Sequence, residues 1–381
     1  MGARLWTLLL VAGLTVVAAT RADAVNTPSC FGKKATIIGS GTIVGTSGSD
    51  VIVGSDSADA IDGMGGSDRI CGLGGDDMIS GGVGDDQIDA GPGSDQVVGD
   101  VSAGGSQAPG PDPGVIGDAV GGGNDTIYAG EGGDIVSGDS FSPHGNASGG
   151  GNDQIFGGAG FDRIAGDSNT KDGSASGGGN DLIEGGDGDD SLVGDSHAIF
   201  FQGPVTGGGI DVLLGGPGAD AITGDDEGLV VTGNGGNDTI DGGAGDDAGL
   251  TGDSLGIFLV SQDGGDDTIT GGSGNDAFLI GDSGVFICEG VITGNAGDDV
   301  MHGSAGNDGP IVGDHDPVCG IPSGSSGNDQ LFGDDGDDDL HGDSHIDSGI
   351  PVSDAGNGDD TCDGAAGTDT AVLCESVVGV P

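Results

Sequence analysis

The sequence predicts an all-β protein, a parallel β-solenoid wound from short strands and glycine-rich turns, and three observations lead to this prediction. Glycine accounts for 92 of the 381 residues, and the formal net charge is −57. Aspartates recur at fixed intervals, and a large aliphatic residue follows most of them two positions later. Internal repeats of this kind are typical of solenoids, in which each coil buries its few apolar side chains against neighbouring coils.

The N-terminal segment 1–24 is predicted to be a cleaved signal peptide. Arg4 precedes an apolar run from Leu5 to Ala19, and Ala22-Asp23-Ala24 has the small-residue pattern of a cleavage site. The apolar run is too short to span a bilayer, which argues against a membrane anchor. We therefore expect a secreted protein without a membrane span.

The charge balance limits the partners of the exported chain. Cleavage would remove Arg4, Arg21 and Asp23 from seven basic and 64 acidic residues, leaving five and 63, a net charge of −58. Nucleic acid and anionic membranes attract basic patches, so neither is an expected partner. The remaining basic residues are Lys33, Lys34, Arg69, Arg163 and Lys171.

Residues 25–44 are expected to form an N-terminal cap, and residues 45–100 the first block of the solenoid. The pattern of this block is G-G-x-G-x-D-x-U-x, where U is aliphatic, and its aspartates lie nine residues apart. Each x-U-x triplet predicts a short strand with U pointing inward, because alternate residues of a strand face opposite sides. Two strands and two turns, that is, two nonapeptides, would give one coil of about 18 residues. The aspartates are Asp50, Asp59, Asp68, Asp77, Asp86 and Asp95, and the U residues are Ile52, Ile61, Ile70, Ile79, Ile88 and Val97.

After an irregular loop at residues 101–120, residues 121–350 are predicted to form longer coils. GGGNDTIYAGEGGDIVSGDS (121–140) is echoed at 149–168 and 177–196, and the unit length of about 27 to 32 residues lies in the range of solenoid repeats. Each unit keeps one nine-residue spacing between two aspartates and one stretched spacing that varies from unit to unit. Residues 351–381 would complete the last coil and a C-terminal cap. The aspartate pairs are Asp125 and Asp134, Asp153 and Asp162, Asp181 and Asp190, Asp211 and Asp220, Asp238 and Asp247, Asp267 and Asp276, Asp299 and Asp308, Asp329 and Asp338, and Asp360 and Asp369.

The stretched edge of each long unit begins with Gly-Asp, which predicts a second carboxylate ladder that binds ions or water. Early copies of this edge are polar, whereas middle copies are apolar, as in LGIFLV (255–260). The apolar copies suggest a third short strand, and the alternative is that they only plug the loop against the solenoid. In three units the aliphatic residue moves one position on, to Leu250, Leu279 and Ile311, which a β-bulge would accommodate. The ladder consists of Asp139, Asp167, Asp195, Asp225, Asp253, Asp282, Asp314 and Asp343.

Stacking would place equivalent aspartates in a ladder, since adjacent coils lie about 4.7–4.9 Å apart. Two carboxylates at that distance repel by roughly 1 kcal/mol even in a water-like dielectric. Calcium reverses the sign of this interaction, because it takes six to eight oxygen ligands at about 2.3–2.6 Å. We therefore expect several calcium ions, bound by turn aspartates and turn carbonyls.

The repeats GMGGSDRIC (63–71), GLGGDDMIS (72–80) and GGVGDDQID (81–89) resemble the repeat-in-toxin (RTX), or haemolysin-type, calcium-binding nonapeptide. The resemblance covers residues 45 to 372 and implies a parallel β-roll in which the sixth-position aspartate and turn carbonyls bind calcium. It implies that the six aspartates of the first block are ligands, with the nine pairs as their counterparts. Toxins and proteases of the family carry an uncleaved C-terminal signal and a pore-forming or protease domain, so the resemblance implies calcium binding but not toxicity.

Six cysteines would remain after cleavage, which suggests disulfides in an exported chain. From their positions we hypothesise three bridges: Cys30–Cys71 at the N-terminal cap, Cys288–Cys319 between consecutive coils, and Cys362–Cys374 at the C-terminal cap. Bridges at the ends would serve a solenoid, because its terminal coils need capping.

The sequence predicts no catalytic site and no organic cofactor. Gly252-Asp253-Ser254-Leu255-Gly256 fits G-x-S-x-G, but it is one more Gly-Asp-Ser of the repeat. The expected function is a secreted calcium-binding solenoid with a structural, adhesive or surface-binding role, with an extracellular glycan or cell-surface component as candidate partner. The alternatives are a calcium-dependent β-helical polysaccharide lyase or epimerase, and a disordered calcium store.

Overall fold

The computed structural model describes residues 27–102, 118–198, 203–285, 291–317, 324–344 and 358–380. Over these ranges the chain is an all-β parallel solenoid without helices, which confirms the predicted fold class. No membrane-spanning apolar helix occurs within these ranges. The signal-peptide prediction falls on residues outside them.

The strands of the nonapeptide repeats form two parallel sheets. The strand after the first aspartate of each nine-residue spacing belongs to one sheet, which we call the first sheet, and the strand after the second aspartate belongs to the other, the second sheet. A two-stranded antiparallel sheet, Ser29–Cys30 and Lys33–Lys34, precedes them. The first sheet contains Ile37–Ile38, Val51–Ser55, Arg69–Leu73, Gln87–Pro92, Thr126–Glu131, Gln154–Ala159, Leu182–Asp187, Val212–Pro217, Thr239–Ala244, Thr268–Ser273, Val300–Ala305, Gln330–Phe332, Thr361–Asp363 and Ser376–Val378. The second sheet contains Thr42–Thr46, Ala60–Met64, Met78–Ser80, Gln96–Val98, Ile135–Ser137, Arg163–Ala165, Ser191–Val193, Ala221–Thr223, Gly249–Thr251, Leu279–Ile280, Pro310–Val312, Asp339–His341 and Thr370–Val372.

The stretched edges of the long coils form a third parallel sheet. Early coils contribute two short strands each, and the two columns of strands meet in Glu227–Thr232, which pairs with both His197–Ala198 and Pro204–Thr206. The sheet contains Val101–Ser102, Ala119–Val120, Ser140–Ser142, Ala147–Ser148, Ser168–Thr170, Ala175–Ser176, His197–Ala198, Pro204–Thr206, Glu227–Thr232, Leu255–Ser261, Gly284–Val285, Val291–Thr293 and Asp316–Pro317.

We expected a third strand only in the apolar copies of the stretched edge. In the structure, the polar copies form strands of the third sheet as well. Ser140–Ser142 pairs in parallel with Ser168–Thr170, although neither segment has an apolar pattern. The later copies build a small apolar cluster that includes Val205, Val231 and Val260. The apolar segments 198–205 and 285–292 are described only in part.

Strand pairing gives two coil lengths. In the short coils Val51 pairs with Arg69, and in the long coils Thr126 pairs with Gln154. Gln87 pairs with Thr126, so the solenoid continues without a break across the predicted irregular loop. The ends of that loop are strands of the third sheet, and its residues 103–117 lie outside the described ranges.

The core is a column of aliphatic side chains between the first and second sheets, as the nonapeptide pattern predicts. Ile52, Ile61 and Ile70 are fully buried, as are their counterparts in later coils. Because each coil adds only two or three such side chains, the core is narrow.

Units with one extra residue keep their register. Ile222 pairs with Leu250, Leu250 with Leu279, and Leu279 with Ile311, and all four are buried. The extra residue, Ala248 in the first of these units, lies between the aspartate and the strand. The aspartate and the aliphatic residue therefore both keep their places.

Disulfides close both ends of the solenoid. Cys30–Cys71 joins the antiparallel pair to the first sheet, and Cys362–Cys374 lies in the last coil, as hypothesised. Cys288 and Cys319 lie outside the described residues.

Candidate metal centre

The predicted ligand aspartates form two straight rows, one leading into each nonapeptide sheet. The first row precedes strands of the first sheet, and the second row precedes strands of the second sheet. Within each row, an aspartate backbone N–H donates to Oδ1 of the aspartate in the next coil, at 2.6–3.1 Å. The first row is Asp50, Asp68, Asp86, Asp125, Asp153, Asp181, Asp211, Asp238, Asp267, Asp299, Asp329 and Asp360. The second row is Asp59, Asp77, Asp95, Asp134, Asp162, Asp190, Asp220, Asp247, Asp276, Asp308, Asp338 and Asp369.

The second oxygen of these carboxylates has no hydrogen-bond donor in all but the N-terminal member of each row. From Asp68 onward in the first row and from Asp77 onward in the second, every Oδ2 is buried and unpaired. No residue of this group is more than 4% exposed. A buried carboxylate without a partner is strongly unfavourable, so these oxygens require a proton or a cation.

Glycines bring main-chain carbonyls up to the unpaired oxygens. A Cβ on Gly63 would collide with the carbonyl oxygen of Gly81 and with Oδ2 of Asp68. In the second row, a Cβ on Gly157 would meet Gly185 O and Asp162 Oδ2 in the same way. Carboxylate and carbonyl oxygens are the ligands that calcium takes in proteins, so the donor set fits a calcium ion.

Asp50 and Asp59, at the N-terminal end of the two rows, differ from the rest. Oδ2 of Asp50 accepts hydrogen bonds from the N–H and the hydroxyl of Thr46, both at 2.8 Å. Oδ2 of Asp59 accepts from the N–H and hydroxyl of Ser55 at 2.7 and 3.0 Å. The role of these two aspartates, and of the other members of both rows, as calcium ligands stays a prediction.

Burial raises the pKa values of several aspartates in each row. Burial, and after it the negative charge of Asp153, raises the pKa of Asp125 to about 10. Burial likewise raises the pKa of Asp86 to about 8 and that of Asp162, in the second row, to about 7. Without a metal, these carboxyl groups hold protons near neutral pH, and a cation would compete for the same oxygens.

The Gly-Asp aspartates form a third row, at the point where each coil leaves the second sheet for the third. All of them are buried, and in the early long coils consecutive members flank one aspartate of the first row. Four groups bring their carboxylate oxygens within 4.8 Å of one another: Asp100, Asp125 and Asp139; Asp139, Asp153 and Asp167; Asp167, Asp181 and Asp195; and Asp195, Asp211 and Asp225.

The Gly-Asp dipeptides predicted the position of this third row. The prediction omitted the first member of the row, and it did not identify the first-row aspartates that lie beside it. Asp100 begins the row, and the dipeptide Gly99-Asp100 is the signal that could have identified it. The contact between the ladder and the first row depends on how the stretched edge folds back, which the repeat pattern does not specify.

Comparison with known families gives a match to the RTX calcium-binding nonapeptide repeat over more than half of the chain. No curated protein matches the sequence. The matched residues are 38–70, 72–101, 119–142, 148–169, 175–197, 205–227, 230–252, 263–284, 291–309, 323–347 and 354–371.

Proposed function

The chain belongs to the RTX calcium-binding nonapeptide repeat family, and we propose that it acts outside the cell as a calcium-stabilised rod with a structural or surface-binding role. Calcium ions between successive aspartate turns keep the coils wound. The observation that carries this proposal is the series of buried carboxylate oxygens, two in nearly every coil, that lack a hydrogen-bond donor.

Electrostatics explain why the ions are needed. Each coil brings at least two buried carboxylates into a stack whose neighbours lie about 4.7–4.9 Å away. Repulsion of roughly 1 kcal/mol per neighbouring pair, and more where water is excluded, adds up along twelve-membered rows. Bound calcium replaces this repulsion by attraction, and the narrow aliphatic core then suffices to set the register of the strands.

Secretion is supported by the disulfides and by the N-terminal sequence. Cys30–Cys71 and Cys362–Cys374 fit an oxidising compartment. Extracellular calcium modules bind with dissociation constants of about 10⁻⁴–10⁻³ M, so a chain of this kind would wind only after export into a calcium-rich medium.

The surface-binding part of the proposal is supported by an aromatic stack on the outer face of the first sheet. Tyr128 is 41% exposed, and its ring stacks on that of Phe156 with centroids 4.9 Å apart. Phe31 lies on the other side of Tyr128, at 6.2 Å. Exposed tyrosines are frequent at interfaces because they combine an apolar ring with a polar hydroxyl. An extracellular glycan or cell-surface component is the partner class that we propose.

The test is a calcium titration of the chain from residue 25 to 381, monitored by isothermal calorimetry and by far-ultraviolet circular dichroism. We expect a coil-like spectrum in chelator, a gain of β-structure on adding calcium, and poor replacement by magnesium, which demands a tighter octahedral shell. A glycan-binding screen of calcium-loaded and chelated protein tests the surface role. Equal compactness and heat resistance with and without chelator would overturn the calcium role.

A further inference from the structure

We propose that the early long coils hold a second kind of cation site, a continuous file of divalent cations bridged by the Gly-Asp aspartates. The file consists of first-row residues Asp125, Asp153, Asp181 and Asp211 and third-row residues Asp100, Asp139, Asp167, Asp195 and Asp225. The inference rests on the proposed function only for the identity of the ion, calcium.

Shared ligands distinguish this file from a stack of separate turn sites. Each of the four carboxylate groups contains one first-row aspartate and two third-row aspartates from consecutive coils. Asp139, Asp167 and Asp195 each belong to two of the groups. A cation in one group therefore shares a carboxylate with the cation in the next.

The carboxylates of the second group are oriented for a central ion. Backbone N–H groups hold Oδ1 of each one: Asp125 N–H donates to Asp153 at 2.8 Å, Gly151 N–H to Asp167 at 3.0 Å, and Gly123 N–H to Asp139 at 3.0 Å. Oδ2 of all three is buried and has no donor, and the three residues are at most 1% exposed.

A main-chain oxygen completes the cradle. A Cβ on Gly138 would collide with both Gly166 O and Asp153 Oδ2, so only glycine lets these two oxygens approach each other there. The same relation holds one coil earlier among Gly99, Gly138 O and Asp125 Oδ2.

Charge balance sets the stoichiometry at one divalent cation per coil. Each coil adds one first-row and one third-row carboxylate, a charge of −2, which one divalent cation neutralises. The second row adds one carboxylate per coil, and no group of three acidic ligands is found around it in the described part of the chain. The file is therefore the tighter class of site, and the second row the weaker.

The first two positions of the file should fill first. In the groups around Asp125 and Asp153, all three Oδ2 atoms lack donors. Asp195, which belongs to the last two groups, has both oxygens hydrogen-bonded, to Gly179 N–H at 3.1 Å and to Gly208 N–H at 2.5 Å. Its carboxylate must exchange or share these hydrogen bonds to bind a cation.

The test counts tightly bound calcium by equilibrium dialysis of the exported chain and three asparagine variants. Asp167→Asn removes a ligand shared by two groups, so we expect the loss of two tight ions, whereas Asp153→Asn should lose one. Asp162→Asn is the matched control: it lies in the same coil and is fully buried, with an unpaired Oδ2 and an Oδ1 that accepts from Asp134 N–H at 2.8 Å. Because Asp162 belongs to the second row, its variant should lose one weakly bound ion and keep the full number of tight ions.

The file would be overturned if Asp167→Asn and Asp162→Asn lost the same number of tight calcium ions, or if Asp167→Asn lost none. If calcium still restores β-structure in that case, the proposed function stands and only the file is wrong; absence of any calcium binding would remove both.

A second measurement uses the unaltered chain, so it tests the file even if the asparagine variants fail to fold. Terbium and europium ions loaded together at two ions per chain should show energy transfer, because the two positions that fill first are neighbours about 5 Å apart. Independent emission of the two ions at this loading would contradict the shared file.

Discussion

The backbone N–H of Asp360 donates a hydrogen bond of 2.9 Å to Oε2 of Glu375. One coil earlier, Asp329 N–H donates to Oδ1 of Asp360 at the same distance. The glutamate carboxylate thus takes the place of the next aspartate, at the end of the first row. It lies beside the Cys362–Cys374 disulfide, so a hydrogen bond and a covalent bond close the same coil.

Glu375→Ala should loosen the last coil. Removing the acceptor leaves the Asp360 N–H, in a nearly fully buried residue, without a partner, which costs about 1 kcal/mol or more. We expect faster amide hydrogen exchange in Thr361–Asp363 and unchanged exchange in Thr126–Glu131. Glu375→Gln keeps a carbonyl acceptor and should retain most of the protection. Identical exchange in the alanine variant and the parent would refute the capping role.

Asp77→Ala should destabilise the calcium-loaded protein more than Asp89→Ala. Asp77 lies in the second row and is buried with an unpaired Oδ2, whereas Asp89 follows Ile88 on the exposed face of its strand. We expect a loss of about 1–3 kcal/mol for Asp77→Ala and less than about 0.5 kcal/mol for Asp89→Ala. Urea unfolding in excess calcium measures both, and equal losses would contradict the role of the turn aspartates.

The N-terminal coil should keep structure in chelator. Thr46 and Ser55 already donate to Asp50 and Asp59, and Cys30, Val53 and Cys71 form a small buried cluster beside the disulfide. Hydrogen exchange in chelator should therefore find residual protection in Val51–Ser55 and none in Thr239–Ala244.

The control for this prediction is Thr46→Val, which removes the hydroxyl donor and keeps the shape of the side chain. It should lower the residual protection in Val51–Ser55 without lowering the number of calcium ions bound at saturation, because the Thr46 N–H, the Ser55 donors and the disulfide remain. Uniform exchange along the unaltered chelated chain would show that no part of the solenoid is independent of metal.

The metal-free protein should gain structure on acidification. Burial raises the folded-state pKa of Asp77 to about 6, of Asp86 to about 8 and of Asp125 to about 10, from an ordinary value of 3.8. Groups with raised pKa values contribute stability that is complete below pH 3.8 and is lost as the pH rises through about 6 to 10. Circular dichroism without calcium should therefore show more β-structure at pH 5 than at pH 8.

We expect calcium to reverse this dependence, because it would compete with protons for the same oxygens. Calcium affinity should fall on acidification, and calcium binding at pH 5, where the folded metal-free chain holds protons on these carboxylates, should release protons, which a pH-indicator dye in weak buffer detects. Loss of structure by the chelated protein between pH 8 and pH 5 would contradict the pKa directions.

The nonapeptide sheets were predictable because the period of nine couples two requirements in one short stretch. An aspartate such as Asp77 must align with the next coil, and Ile79 must point into the core two residues later. Both requirements repeat in every coil, so the pattern fixes strand position, facing and register together.

The third sheet was less predictable because its early strands bury polar side chains. Ser140 and Thr170 are fully buried there, and their hydroxyls donate to main-chain carbonyls, for instance Thr170 to Gly145 O at 2.9 Å. A pattern search based on apolar residues passes over such strands. The grouping of Asp139 with Asp153 was also hidden, because it depends on the path of this sheet and not on sequence spacing.

The third-sheet segments differ in length from coil to coil, whereas pairing in the first two sheets stays in register. A gene duplication that copies one entire coil would insert a repeat with its own pair of turn aspartates. The strands on either side could still pair with the inserted strands in the same register. Descendants of such a gene can lengthen their product in increments of one winding, about 4.8 Å at a time. Sequence change in the third-sheet segments can meanwhile alter that side of the solenoid without disturbing the two rows of turn aspartates.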